Sequence, residues 1–367
     1  LENNPVYKMS ECLIHRGPDA MGSLVLENIS LGFRRLSILD LSKKANQPMS
    51  TGDNRFHIVF NGEIYNFKEL RKELQKINYK FQSTSDTEVV LYSYAEWGPK
   101  CLKYFNGMFA LAVWDAKFKK LFLARDRFGK KPIYYHINNR KEFIFASELS
   151  ALTADETIPK SISLEALNCY LSIGYILSPM TLYKDVYKLE SGTYLLVSDN
   201  GNKVDKTKYW NYADSFRNKT KESESDIAEH VSYLLECSVK RRLVSDVPVG
   251  AFLSGGIDSG IIFSILNKFS GEKHLDLDPF IFKDNNIAYK NALELCSYYK
   301  RKPKIIKDIK YKPDQLSGLF TVLESTSTYF SQIQIYKNQN QNGFKVSIDG
   351  HGADECLGGY PRNILNF

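Results

Sequence analysis

Along the first half of the chain, hydrophobic positions fall into short, nearly continuous runs separated by turn residues. Residues 55–64 carry Phe56, Ile58, Val59 and Phe60 and end near Asn61-Gly62, which predicts a buried strand followed by a turn. From Asn66 the spacing becomes helical, with Phe67, Leu70, Leu74 and Ile77 on one face. Ser85 or Asp86 caps a second predicted helix, in which Val90, Tyr94 and Trp97 recur at i, i+4 and i+7. Strands are predicted at 108–114 and 121–124, joined by the charged turn 115–120, and at 132–137 and 142–146, joined by Asn138-Asn139. A last strand at 193–197 precedes a polar stretch over 198–225. Helices mixed with these strands predict a layered αβ sandwich.

The second half alternates. Helices are predicted at 226–243, 257–267, 288–299 and 332–341, and strands at 247–253, 279–282, 304–309 and 344–348. In the first of these helices Ile227, Val231, Leu234 and Leu235 share a face. Repeated βα units imply a parallel sheet with helices on both faces and ligands at the carboxyl ends of the strands. We place a first domain at residues 1–200, a linker at 201–225 and a second domain at 226–367.

Composition narrows the class. With 43% hydrophobic and 25% charged residues in 367, the chain reads as globular rather than disordered. The net charge of +7 is scattered, as in Lys68, Arg71, Lys72 and Lys117, Lys119, Lys120. Such charges solvate surfaces, so an anionic small substrate is expected and nucleic acid is not. The six cysteines form no CxxC pair, which argues against zinc or a disulfide framework and for the reducing cytoplasm. No apolar run reaches the length needed to span a bilayer, so no membrane role is expected. Residue 1 is Leu, and the first Met is Met9, inside a predicted helix. The sequence reads as a piece of a longer protein, cut at both ends.

Ser254-Gly255-Gly256-Ile257-Asp258-Ser259 follows a predicted strand and opens a helix. Glycines let backbone N–H groups approach an anion, and the helix N-terminus adds a favourable dipole. Ser254 and Ser259 can donate hydroxyl bonds to phosphate oxygens. Asp258 fits such a cradle if it holds Mg²⁺ bridging to the phosphates. Taken alone, this is equally well an ordinary βα turn. A second Gly-rich acidic loop, Asp349-Gly350-His351-Gly352-Ala353-Asp354-Glu355, follows the strand at 344–348 and leads to Gly358-Gly359-Tyr360. The two loops together could close on one Mg²⁺–pyrophosphate, with Asp258 and Asp354 as metal ligands and Asp349 and Gly350 at the phosphates.

SGGIDS resembles the loop of ATP pyrophosphatases, which cleave ATP between the α- and β-phosphates. Further motifs occur in order. They are His15-Arg16-Gly17-Pro18-Asp19, Arg34-Arg35-Leu36-Ser37-Ile38-Leu39-Asp40, Gln47-Pro48-Met49 and Phe60-Asn61-Gly62-Glu63-Ile64-Tyr65-Asn66, then Ser85-Asp86-Thr87-Glu88, Gly107-Met108-Phe109-Ala110 and Arg125-Asp126-Arg127-Phe128-Gly129. Any one is weak. The ordered set, running from about Met9 to Tyr360, resembles glutamine-hydrolysing asparagine synthetase.

The resemblance implies an αββα sandwich of the N-terminal-nucleophile hydrolase type (α+β) followed by an α/β ATP-pyrophosphatase domain. It implies glutamine, aspartate and ATP as substrates and Mg²⁺ as the metal; a homodimer is the one protein assembly considered, and the sequence leaves the oligomeric state open. The glutamine positions it implies are Arg35, Leu36, Ser37, Ile38, Leu39, Asn61, Gly62, Glu63 and Asp86. The chemistry agrees: Arg35 offers a planar fork for the carboxylate, and Glu63 and Asp86 offer acceptors for the ammonium. Asn61 and the Gly62 N–H can form an oxyanion hole. By the same resemblance Leu253 and Phe280 lie near the adenine.

Two departures stand out. The family's nucleophile is an N-terminal Cys that uses its own α-amine as base. Here Leu1 opens the sequence and Cys12 reads as a buried thiol, so the chain as given is not expected to hydrolyse glutamine. His351 stands where the family commonly has an acidic residue thought to accept a proton from attacking ammonia. A neutral imidazole can do this near pH 7. Two rival readings stay open: a related amidotransferase acting on another carboxylate, such as a sugar acid or a β-lactam precursor, and a non-catalytic glutamine-binding protein.

Overall fold

The computed structural model describes residues 4–217, 219–271, 275–283, 286–306 and 329–359. They fall into two compact units, the first running to Thr220 and the second beginning at Lys221.

The first unit opens with helix α1 (Pro5–Glu11), where Asn4 caps the Val6 N–H at 3.0 Å, and the antiparallel pair β1 (Ala20–Val25) and β2 (Ser30–Arg35). Next come β3 (Met49–Ser50), β4 (Phe56–Ile64), α2 (Phe67–Lys76), α3 (Asp86–Trp97), β5 (Gly107–Asp115) and β6 (Lys120–Arg125). Then follow β7 (Tyr134–Ile137), β8 (Phe143–Ala146), α4 (Leu149–Leu152), α5 (Leu164–Ile173), β9 (Tyr187–Lys188), β10 (Thr193–Ser198) and β11 (Lys203–Lys208). The main sheet is antiparallel in the order β11-β10-β6-β5-β4-β3, and a smaller sheet runs β8-β7-β9.

Both faces of the main sheet are covered. On one face Phe56 and Phe122 meet Tyr94 of α3, with ring centroids 5.7 and 4.7 Å apart. On the other, Val59, Ala112, Trp114, Leu123 and Leu195 form a core with Leu31, Phe33, Tyr135 and Phe143 of β2, β7 and β8. Beyond these strands Met9, Leu149 and Leu152 cover the outer side. The layers are therefore helix, sheet, sheet, helix, the αββα sandwich expected. Double burial explains why the strands read as continuous apolar runs rather than alternating ones.

The stretch expected as a linker is not all connection. β11 lies inside it and pairs with β10 from Thr193↔Lys208 to Ser198↔Lys203. Its Lys203, Lys206 and Lys208 are exposed. A polar sequence suits an edge strand, which has water on one side. Cys12 also departs from expectation: it terminates α1 and is exposed rather than buried.

The second unit comprises α6 (Glu224–Arg242), β12 (Val249–Ala251), α7 (Ile257–Lys268), β13 (Phe280–Phe282), α8 (Ile287–Tyr298), β14 (Lys304–Ile306), α9 (Tyr329–Gln341), β15 (Val346–Ile348) and α10 (Ala353–Leu357). β12 pairs in parallel with β15 and β13 with β14, while a parallel bridge from Phe252 to Phe280 joins the pairs. The result is a four-stranded parallel order β15-β12-β13-β14 with a core built on Val249, Ala251, Leu253, Phe263 and Leu266. Helix α6 enters this core through Leu235 and Val239, joined by Leu243 at its C-cap, whereas Ile227 and Leu234 of its predicted apolar face are exposed. Positions 307–309 of the predicted strand, and Tyr360, lie outside the described residues.

Candidate active sites

In the first unit a cavity of about 930 Å³ opens between the layers. Arg35, Leu36, Ile38, Leu39, Asn61, Gly62, Glu63 and Asp86 all line it. Ser37 is not among the lining residues, and its N–H donates to Asp19 Oδ2 at 2.7 Å. Strand β4 delivers Asn61, Gly62 and Glu63 from the main sheet, the start of α3 delivers Asp86, and the loop after β2 forms a wall.

Each part of the wall is fixed by identifiable bonds. The buried Arg35 donates from Nη1 to Ser42 O and to Asn46 Oδ1, both at 2.8 Å, and from Nη2 to Leu39 O and Asp40 O. Its fork therefore holds the 39–46 loop, a task that the expectation of a free carboxylate clamp left out. Asp40 tightens the same loop, accepting from Ser42 Oγ at 2.6 Å and from the Thr84 N–H at 2.7 Å. Burial acts to raise the Asp40 pKa, but these hydrogen bonds outweigh it and hold the carboxyl below its usual value.

Two groups in the cavity wall lack compensation. Asn61 Nδ2 is buried and finds no hydrogen-bond partner among the described residues. A buried orphan donor is costly, and here it can take an acceptor from a ligand or a water in the cavity. Asp86 is buried, with Oδ2 accepting the Ile64 N–H at 2.9 Å, and desolvation outweighs the backbone hydrogen bonds from Ile64, Thr87 and Asp86 and pushes its pKa up to about 6. A carboxylate so placed favours an incoming cation. Gly62 is required beside them, because a Cβ there would lie 2.7 Å from Phe109 Cα.

The cavity also brings in residues that sequence reasoning did not assign to it. Arg16 lines it and donates to Glu148 Oε1 at 3.0 Å. Lys131 lines it too, and burial lowers its pKa, with Arg16 adding to the effect and Glu63 and Asp126 opposing it. Lys131 follows the Arg125–Gly129 motif by two residues, and Arg16 is itself in a motif, so position was the available signal. Asp126 sets this corner: it is buried and accepts N–H bonds from Phe109, Phe128, Lys130 and Lys131 at 3.0–3.2 Å.

In the second unit the Ser254–Ser259 loop spans the end of β12 and the start of α7. Gly255 has φ +82°, and its backbone lies against Ala288 and Ala292 of α8. Ser254 Oγ and Ser259 Oγ are 2.8 Å apart, and Ser254 Oγ accepts the Gly256 N–H at 3.3 Å. Asp258 sits in the first turn of α7. The second loop touches the first, since a Cβ on Gly350 would be 2.8 Å from Ser259 N. Asp354 opens α10, and its carboxylate lies beside Gly359.

The two residues expected near the adenine have side chains that belong to the core. Leu253 and Phe280 are fully buried, Leu253 in the sheet core and Phe280 against Phe344. Their apolar side chains are core material, and the Leu253 N–H is bonded to Phe280 O at 3.0 Å. The side chains offer no surface to a nucleotide.

Among the described residues there is no group of three or more His, Cys, Asp or Glu side chains able to enclose a metal. Mg²⁺ is commonly held by one or two carboxylates together with substrate phosphates and water. Asp258 and Asp354, each in the first turn of its helix and on loops that meet, fit this role.

An antiparallel αββα unit with a cavity between its layers and a parallel α/β unit with a Ser-Gly loop at a helix N-terminus suit a two-domain amidotransferase-type chain. Residues 1–210 match the glutamine amidotransferase domain family, and residues 230–365 match the asparagine synthase family. A putative glutamine-hydrolysing asparagine synthetase 2 of Methanocaldococcus jannaschii is 33% identical over 99% of this chain and 73% of its own length. Asparagine synthetase 1 of Bacillus subtilis is 33% identical over 97% of this chain and 55% of its own. The chain belongs to the glutamine-hydrolysing asparagine synthetase family. It spans about half to three quarters of the length of these relatives. Among solved structures, a Bacillus subtilis glutamine phosphoribosylpyrophosphate amidotransferase aligns with 86% of this chain and 68% of its own, at 13% identity and a TM-score of 0.41. Among the described residues no helix is long and apolar enough to cross a membrane.

Proposed function

We propose that the complete protein amidates aspartate to asparagine, using ammonia from glutamine and energy from ATP. The observation that carries the first half is the pairing, in one cavity, of an orphaned amide donor on Asn61 with the desolvated carboxylate of Asp86. Free glutamine complements both. Its ammonium would pair with Asp86 and Glu63, and its amide oxygen would turn toward Asn61 Nδ2 and Gly62 as charge develops on attack. Arg35, and Lys131 within the same wall, supply the positive potential for the α-carboxylate.

In the second unit the Ser254–Ser259 loop and the N-terminus of α7 would receive the phosphates of ATP. Asp258 and Asp354 would hold Mg²⁺, a group that would supply charge neutralisation for the pyrophosphate leaving group. The acceptor carboxylate then becomes an acyl-adenylate. Ammonia attacks it, with His351 as the base, releasing AMP. A second reading, amidation of a different carboxylate, is favoured by one feature only, His351 in place of the family's acidic residue.

The test is direct. The complete gene product is incubated with ATP, Mg²⁺, glutamine and aspartate, and asparagine, glutamate and pyrophosphate are quantified. Asparagine and pyrophosphate in equal amounts support the proposal. Glutamate without asparagine retains the glutamine half and rejects aspartate as acceptor.

A further inference from the structure

The second loop contains a contact that phosphate binding does not require. His351 Nδ1 lies 2.9 Å from Asp349 Oδ2, and Asp349 Oδ1 accepts the His351 backbone N–H at 3.0 Å. The same carboxylate takes a hydrogen bond from the phenol of Tyr336 on α9, whose pKa is raised first by burial and then by Asp349. The Asp349 side chain is 19% exposed and that of His351 is 55% exposed. The carboxylate is therefore tucked in and the imidazole faces outward. Gly350, between them, rests on the backbone of Asp258 and Ser259, which sets the pair beside the phosphate loop.

This arrangement argues against Asp349 as a phosphate-site residue. Both of its oxygens already face protein donors. A carboxylate aimed at pyrophosphate would add repulsion unless a metal lay between. A carboxylate against one nitrogen of an imidazole fixes the ring orientation and selects the tautomer, which leaves the other nitrogen able to accept a proton.

We propose that Asp349 is a positioning residue that turns His351 into an oriented base for the amidation step, with Tyr336 steadying the carboxylate. This rests on reading the second unit as the amidating site. In the step, a bond forms between the ammonia nitrogen and the acyl carbon while the C–O bond to AMP breaks. AMP leaves with that electron pair. One proton passes from nitrogen to His351 Nε2, while Nδ1–H stays directed at Asp349.

Two measurements on the complete gene product test this. The first uses protein labelled with ¹⁵N-histidine and long-range ¹H–¹⁵N spectra, with H351Q to assign the resonance. His351 is expected as the Nδ1–H tautomer with a bare Nε2 in the parent, and to lose that bias in D349N and partly in Y336F. A predominantly Nε2–H ring in the parent overturns the proposal, and this readout needs no acceptor. The second uses ammonium chloride, aspartate, ATP and Mg²⁺. D349N is expected to lower kcat for amide formation roughly 10- to 100-fold, within the range of general-base effects, while the KM for ATP and aspartate-dependent ATP–pyrophosphate exchange stay near the parent values. Parallel loss of exchange and rise in ATP KM would return Asp349 to the phosphate site and reject the positioning role. If the parent makes no amide from aspartate but shows the Nδ1–H ring, the orientation stands and the acceptor assignment fails.

Discussion

Asp86→Asn separates stability from function in the first unit and predicts opposite signs for the two. The Asp86 carboxyl rises from 3.8 to about 6 because it is desolvated and backbone bonds from Ile64, Thr87 and Asp86 compensate only in part. The folded protein thus holds this proton more tightly than the unfolded chain does. Stability is full below pH 3.8, falls as pH rises, and reaches its floor above about 6. The loss is ~1 kcal/mol at pH 4.5 and ~3 kcal/mol at pH 7.5. Asparagine keeps an acceptor for the Ile64 N–H but carries no charge, so its stability lacks this dependence. The variant should therefore gain ~2 kcal/mol on the parent between pH 4.5 and pH 7.5. All three tryptophans, Trp97, Trp114 and Trp210, lie in the first unit, so urea unfolding followed by their fluorescence reports that unit. Calorimetry at pH 7.5 should show glutamine bound roughly 10- to 100-fold more weakly by the variant, as expected for the loss of a hydrogen-bonded charge. Parallel pH profiles for the two proteins would refute the desolvation argument. Undiminished glutamine binding would refute the assignment of Asp86 to the ammonium.

Other substitutions probe the rest of both sites. Arg35→Ala should speed amide exchange over residues 36–46 and weaken glutamine binding at least tenfold. Lys should not rescue it, because a point charge cannot replace bonds to Ser42, Asn46, Leu39 and Asp40. Unchanged exchange would mean the fork does not hold the loop. Asp126→Ala orphans the N–H groups of Phe109, Phe128, Lys130 and Lys131 and should destabilise the first unit by ~3 kcal/mol or more. An unshifted tryptophan-monitored urea midpoint rejects that. Gly255→Ala places a Cβ at positive φ, 2.6 Å from the Ala288 carbonyl carbon, and should lower ATP–pyrophosphate exchange more than tenfold while sparing glutamine binding. Normal exchange would show that the loop can rearrange.

How far the sequence could be read depended on where each element hides its apolar side. β4 and β5 are apolar on both faces and α3 carries the Ser85 cap, so all three were legible. β1 and β2 were missed because their burial is partial and β2 ends in Arg34 and Arg35, which look like surface. α5 was missed because Leu164 and Leu171 are exposed, so its pattern does not report a core. At the sites, short-range chemistry was readable: Asn61, Gly62, Glu63 and Asp86 meet in one cavity. Competition for a side chain by its folded surroundings was not. Arg35 is engaged by loop carbonyls, Asp349 by Tyr336 and His351, and Leu253 and Phe280 by the core. Which loop carbonyl or ring a side chain turns to depends on the folded course of the backbone, even four to eleven residues away, and spacing alone does not reveal it.

The lysine-bearing strand β11 has a practical consequence for anyone dividing this protein. A fragment ending at residue 200, where polar composition begins, would strip β10 of its neighbour and leave a row of unpaired backbone groups beside Leu195 and Val197. Such an edge templates pairing with another molecule, whereas the natural one carries the exposed charged side chains of Lys203, Lys206 and Lys208, which blunt such pairing. A fragment carried to Thr220 keeps that guard, and the two lengths should differ in solubility far more than in fold.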